Sequence, residues 1–203
     1  MIRNTKRHLW LTAIALFTAT SVGIVLALAV FQVSWVSRAV LYVAGLLQTI
    51  PSIALLALMI PIFGIGMLPA VVALFLYSLL PIIRNSVTAL VTVDPVLRRV
   101  ATAIGLTRYD EIRYVYLPLA MPAILAGVRT AAVISIGTAT LAAFIGAGGL
   151  GDPIVTGLAL NDTSLILQGA IPAAVLAIVT ELVFEGVERV LVPRHLKVLE
   201  EPT

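Results

Sequence analysis

The chain has 203 residues, of which 61% are hydrophobic and only 11% charged. Soluble domains carry roughly 25% charged residues, so this chain cannot cover a globular surface with charge. Together with a mean hydropathy of +1.12, that excludes an ordinary soluble enzyme and a disordered regulator and points to an all-α polytopic membrane protein.

A membrane-spanning helix needs roughly 20 mostly apolar residues, so the intervals between charges locate the spans. Arg3, Lys6 and Arg7 precede the first, Leu9–Phe31. That run is too long for the apolar region of a signal peptide and lacks a small-residue cleavage motif. The next uncharged run, Ala39 to Ile83, is too long for one span. The proline and glycine cluster from Pro61 to Pro69 divides it, giving a second span near Leu41–Ile60 and a third near Pro69–Leu90. The polar stretch Arg84 to Arg113 follows and holds eight of the 23 formal charges. A fourth span, Leu119–Ala143, contains Arg129. Gly146–Thr163 reads as a glycine-rich loop with Asp152, Asp162 and no cation. A fifth span, about Ile166–Leu182, continues as a charged helix through Glu188 and Arg189.

About five spans place Arg84, Arg98, Arg99, Arg108 and Arg113 on the same side as Arg189, Arg194 and Lys197. By the positive-inside rule that side is the cytoplasm. The Gly64–Pro69 and Gly146–Thr163 loops, free of Lys and Arg, then lie outside. The C-terminus is cytoplasmic and the N-terminus outside, although it carries Arg3, Lys6 and Arg7. Residues 1–203 read as a single transmembrane domain with one cytoplasmic loop, 92–118.

That loop carries its own helix signals. Asp94-Pro95 supplies an N-cap and a proline at the first helical position. Val96, Val100 and Ile104 form an apolar stripe, and Gly105 fits the stop position. Thr107 caps a second helix, with Asp110 as a near-match to a capping box, and that helix is expected to end at Leu117-Pro118. Such an element suits docking on a protein or lying on the lipid surface. The acids Asp94, Asp110 and Glu111 make it a poor nucleic-acid surface.

At these residues the sequence resembles the permease subunits of ATP-binding-cassette importers. Their cytoplasmic signature runs Glu-Ala-Ala, three residues, Gly, nine residues, Ile-x-Leu-Pro. Ala101, Gly105, Val115, Leu117 and Pro118 fall on that spacing, with Leu106 following the glycine. Arg99 stands in place of the acid and Val100 in place of the first alanine. The proline-spaced stretch Pro118 to Gly127 and the loop Gly146-Ala147-Gly148-Gly149-Leu150-Gly151 extend the resemblance. Gln48-Thr49-Ile50-Pro51-Ser52 is similar to the osmoprotectant branch, which takes up glycine betaine, carnitine or choline. The resemblance implies a type I importer permease in a prokaryotic inner membrane, without catalytic residues of its own. It implies ABC ATPase subunits docked under the coupling loop, a second permease subunit and an extracytoplasmic solute-binding protein. Other readings are a permease for another small solute such as an amino acid, an ATP-independent secondary transporter, and a membrane scaffold.

ATP binding requires a glycine-rich loop followed by Gly-Lys-Ser/Thr. Lys6 and Lys197 are the two lysines, and neither follows such a loop. ATP and magnesium are therefore expected on a partner, and no cofactor on this chain. The absence of cysteine and the placing of His8 and His195 near the chain ends, as interfacial polar residues, argue against a catalytic triad or a metal site. Arg129 is expected to snorkel toward the interface, and Glu181 to belong to a solvated helix end with an i, i+4 pair Glu185–Arg189. Gly127, Ala131, Ser135, Ala139 and Ala143 form a small-residue stripe suited to close helix packing, within the chain or at a dimer interface. Gln48, Thr49, Ser52, Ser135 and Thr138 are candidate path-lining groups, by polarity within spans two and four.

Overall fold

Helices form along the long apolar runs and carry Pro61, Pro81, Pro122 and Pro172 inside them, while breaks fall at Pro51, at Gly64–Gly66 and at Gly105. The computed structural model describes residues 1–191; the cationic tail residues Arg194, His195 and Lys197 lie outside the described residues. The helices are α1 (Ile2–Val30), α2 (Ser34–Thr49), α3 (Ser52–Phe63), α4 (Met67–Val91), α5 (Pro95–Ala103), α6 (Arg108–Glu111), α7 (Leu117–Ala139), α8 (Gly151–Leu160) and α9 (Thr163–Leu191). Four continuous helices are long and apolar enough to cross a membrane: α1, α4, Arg108–Ala139 and α9.

The expected second span is not one helix. Pro51 ends α2, and the chain turns through 98° into α3. The pair nevertheless runs from one end of the bundle to the other. Val36, Val40 and Leu41 of α2 pack on a core of Ala27, Ile83, Val87, Leu90 and Tyr116. Met59 and Ile60 of α3 pack on the opposite core, made of Leu11, Ala70, Leu74, Ala139 and Ala147. Between them lies a thin layer of Ala19, Ile82, Val128 and Ala131. Among the described residues this gives four candidate spans, and five where the bent pair counts as one.

Two further expectations are corrected. The second short helix of the 92–118 loop does not end at Leu117-Pro118. A π turn, Ile112–Tyr116, joins α6 to α7 without a break, so Arg108–Ala139 is one 32-residue helix. Pro118 has no N–H to give the Tyr114 carbonyl, and its ring crowds the preceding turn. The wider π turn, in which the Leu117 N–H reaches back to the Ile112 carbonyl, accommodates it. The Gly146–Thr163 segment is not an open loop either. It holds α8, and Asn161 at φ 53° reverses the chain into α9. Pro153 in the first turn and Asn161 just past the last are the helix signals that mark it.

Close packing explains the small residues. A Cβ on Gly23 would lie 2.8 Å from Ile82 Cγ2, and one on Gly127 would lie 2.9 Å from both Asn85 Cβ and the Pro81 carbonyl oxygen. Both α1 and α7 therefore press their backbones onto one stretch of α4. Gly127, Ala131, Ser135 and Ala139 are all buried, so this part of the stripe packs within the chain; Ala143 is half-buried. Arg129 does not simply snorkel. It pairs with two carboxylates of α9, Glu181 at 3.6 Å and Glu188 at 3.3 Å, while Glu185 and Arg189 form the expected pair one turn apart.

At Gly151 a Cβ would sit 1.9 Å from the Thr140 carbonyl oxygen, a contact with backbone that cannot yield. Gly127→Ala should cost about 1–3 kcal/mol through overpacking, and Gly151→Ala at least as much. Gly45→Ala, inside α2 with nothing within 4 Å, should not lower the apparent Tm of the detergent-purified protein.

Candidate functional site

At one end of the bundle α5 and α6 form a compact foot. Asp94 caps α5 by accepting from the Val96 N–H at 2.7 Å, as its position before Pro95 predicts. Gly105, at φ 79°, ends it. The Gly105 N–H donates to the Thr102 carbonyl and the Leu106 N–H to the Ala101 carbonyl, both at 3.1 Å. This pair of bonds is a Schellman motif. Thr107 then caps α6, accepting from the Asp110 N–H at 3.3 Å and donating to the Asp110 carboxylate at 2.6 Å. Arg98 braces the two helices through Glu111 at 3.6 Å, and Ala101, on the same side of α5, is buried.

The residues the signature singles out divide between the inner and outer faces of this foot. Ala101 is buried; Leu106, Val115 and Leu117 are half-buried; Arg99, Val100, Gly105 and Pro118 are exposed. The apolar stripe Val96, Val100 and Ile104 faces away from the chain, 49%, 51% and 70% exposed. An exposed apolar stripe of this kind marks a contact surface for protein or membrane. Arg99 has no carboxylate within ion-pair distance among the described residues, and the brace between the helices comes from Arg98 instead.

The second feature is the elbow between α2 and α3. Pro81 in α4 cannot donate to the Tyr77 carbonyl four residues earlier. Gln48 fills that vacancy, its amide donating to the Tyr77 carbonyl at 3.0 Å. The Tyr77 hydroxyl in turn donates to the carbonyl of Ile50, in the extended backbone that forms the bend. The two bonds close a reciprocal clasp. Thr49 is exposed at the elbow and Ser52 half-buried as the first residue of α3, and Thr138 is half-buried on α7. Ser135, at 1% exposure, is enclosed in the bundle and lines no open surface of the chain.

Sequence reasoning did not anticipate Tyr77 or His8. A tyrosine four residues before a proline inside an apolar helix is the readable signal for the first. His8 is not an interfacial polar residue: it is fully buried at the glycine-rich end of the bundle, where Nε2–H donates to the Ile136 carbonyl at 3.1 Å. Among the described residues no cluster of His, Asp and Glu is arranged to hold a metal.

Because the hydroxyl is the group of Tyr77 that reaches Ile50, Tyr77→Phe should leave the Ile50 carbonyl without this donor. The expected loss is about 1 kcal/mol, measured as apparent Tm, with a further rise in hydrogen exchange confined to 46–53.

Comparison with known proteins agrees with this geometry. The family model for the binding-protein-dependent transport system inner membrane component matches residues 19–197. The chain is 44% identical over 198 residues to the osmoprotectant import permease protein OsmW of Salmonella typhimurium, covering 95% of this chain and 92% of that protein. It is 41% identical over 201 residues to the glycine betaine/carnitine/choline transport system permease protein OpuCB of Bacillus subtilis, covering 99% and 93%. Its backbone matches a chain of the MetNI methionine ABC transporter in an inward-facing conformation, with a TM-score of 0.84, 21% identity, and coverage of 95% and 96%. That likeness is one of fold. The fold expected from the resemblance, an all-helical type I importer permease, is thus the one found. With four to five candidate spans among the described residues and this match over most of its length, the chain belongs to the binding-protein-dependent inner membrane transport components, as a multi-pass permease of the ABC importer type.

Proposed function

We propose that this chain forms, with a second permease subunit, the membrane path for a compatible solute of the glycine betaine, carnitine or choline kind. The names of the relatives at 44% and 41% identity support the solute class. The observation that carries the mechanism is the α5–α6 foot. Its apolar stripe is exposed, its two helices are capped and braced, and α6 runs unbroken into the spanning α7. An ATPase subunit gripping Val96, Val100 and Ile104 would therefore move a membrane helix directly.

On this reading the foot faces the cytoplasm, consistent with its arginines, and the N-terminus and glycine-rich end face outward. ATP and magnesium belong to the partner ATPase, and a solute-binding protein delivers cargo to the outer end. The elbow lines the path. Backbone without helical bonding is tolerated at membrane depth only where protein buries it or water reaches it, and Thr49 and Ser52 mark the side where it opens. The path then needs only weak contacts, and selection of the quaternary ammonium group falls to the binding protein, where an aromatic cage can hold it.

Ile104→Asp should place a charge in the ATPase contact. ATP-dependent uptake of glycine betaine by the reconstituted complex is expected to fall about tenfold or more, the scale of losing an interface anchor, with membrane insertion unchanged. Uptake that persisted in the wild-type complex without ATP would sink the importer reading.

A further inference from the structure

The first turns of α1 do not end freely at the glycine-rich end of the bundle. They are fastened to the loop that follows α7. Arg7 Nε donates to the Ala147 carbonyl at 2.6 Å. His8 holds two partners at once: its Nε2–H donates to the Ile136 carbonyl of α7 at 3.1 Å, and its Nδ1 accepts from the Leu150 N–H of the loop at 3.3 Å. The loop is shaped to admit these side chains. Gly148 and Gly149 lie at φ 80° and 97°, where side-chain-bearing residues are strained. A Cβ on them would stand 2.8 Å from Arg7 Nε and 3.1 Å from His8 Nδ1.

What is fastened there also seats the two following helices. Leu150 immediately precedes α8. A Cβ on Gly169 of α9 would lie 2.5 Å from the Leu150 carbonyl oxygen, so α9 rests directly against the residue His8 holds. Arg7 and His8 precede residue 19, where the family match begins.

We propose that this turn of α1 is the latch of the outer mouth, and that His8 is a positioning residue holding the Gly146–Leu150 loop closed over the path. The proposal rests on the reading above that this end faces outward and admits the solute. The two nitrogens of His8 do different work. The bond from Nε2 ties the ring to α7, while the bond at Nδ1 ties the loop to the ring. Opening the mouth breaks the second and leaves the first.

This division is testable because the chain has no cysteine, so Ala147→Cys introduces its one thiol, at a position with no exposure. The full complex, in right-side-out vesicles, is treated with a membrane-impermeant maleimide, and glycine betaine uptake is followed in parallel. His8→Asn keeps an acceptor where Nδ1 stands and loses the donor to Ile136. His8→Gln keeps the donor and loses the acceptor. In the Ala147→Cys background His8→Asn should label within about twofold of the parent and His8→Gln about tenfold faster, the effect of losing roughly one hydrogen bond. Uptake should fall further in His8→Gln than in His8→Asn at equal membrane content. The reverse order would mean that His8 only anchors α1 to α7, and equal labelling would mean that the loop is not held; either result overturns the latch. A wild-type complex that takes up no solute would count against the proposed function and leave the labelling order to decide the latch.

Discussion

The hydroxyl and carbonyl of Tyr77 join the two places where helical hydrogen bonding fails inside the apolar slab. One is the vacancy that Pro81 leaves in α4, filled by Gln48; the other is the extended backbone at Ile50, which Tyr77 itself engages. At membrane depth a backbone group left without a partner costs several kcal/mol. Each break therefore serves as the partner of the other. Without the pairing, the 98° bend would expose polar backbone on one side and a kinked helix on the other. Remaining features of the bundle follow from its position: α4 is fixed at its midpoint, and α1 and α7 close on it at Gly23 and Gly127.

The foot was the most legible part of the sequence because every signal in it is local. Asp94 before a proline, Gly105 after an apolar stripe and Thr107 three residues before an acid each act within one turn of helix. Each bond they imply is present. What the sequence could not disclose acts across distance. Arg129 looks like a lone cation in an apolar helix until α9 brings Glu181 and Glu188 beside it. His8 looks like part of a polar N-terminal flank until residues 136 and 150 converge on it. Ser135 looked like a path residue because polarity within a span is all a sequence displays, whereas its side of α7 turns out to face the other helices.

Glycine illustrates the same division. At Gly105 the requirement is conformational, a positive φ in open space, and the sequence context of a helix stop reveals it. At Gly127, Gly151 and Gly169 the requirement is proximity to backbone of another element. Nothing in the neighbouring residues announces that, and only the assembled fold distinguishes those positions from Gly45.

The unbroken helix from Arg108 to Ala139 can be considered as a beam on a pivot. At about 1.5 Å per residue, its pivot at Gly127, pressed on Pro81 and Asn85 of α4, stands about 28 Å from the foot and about 18 Å from the far end. If the foot is pushed as proposed above, the unequal arms would make it a reduction gear. A displacement applied at the foot arrives at the opposite rim smaller by about a third and with correspondingly greater force, a ratio set by where one residue lacks a side chain.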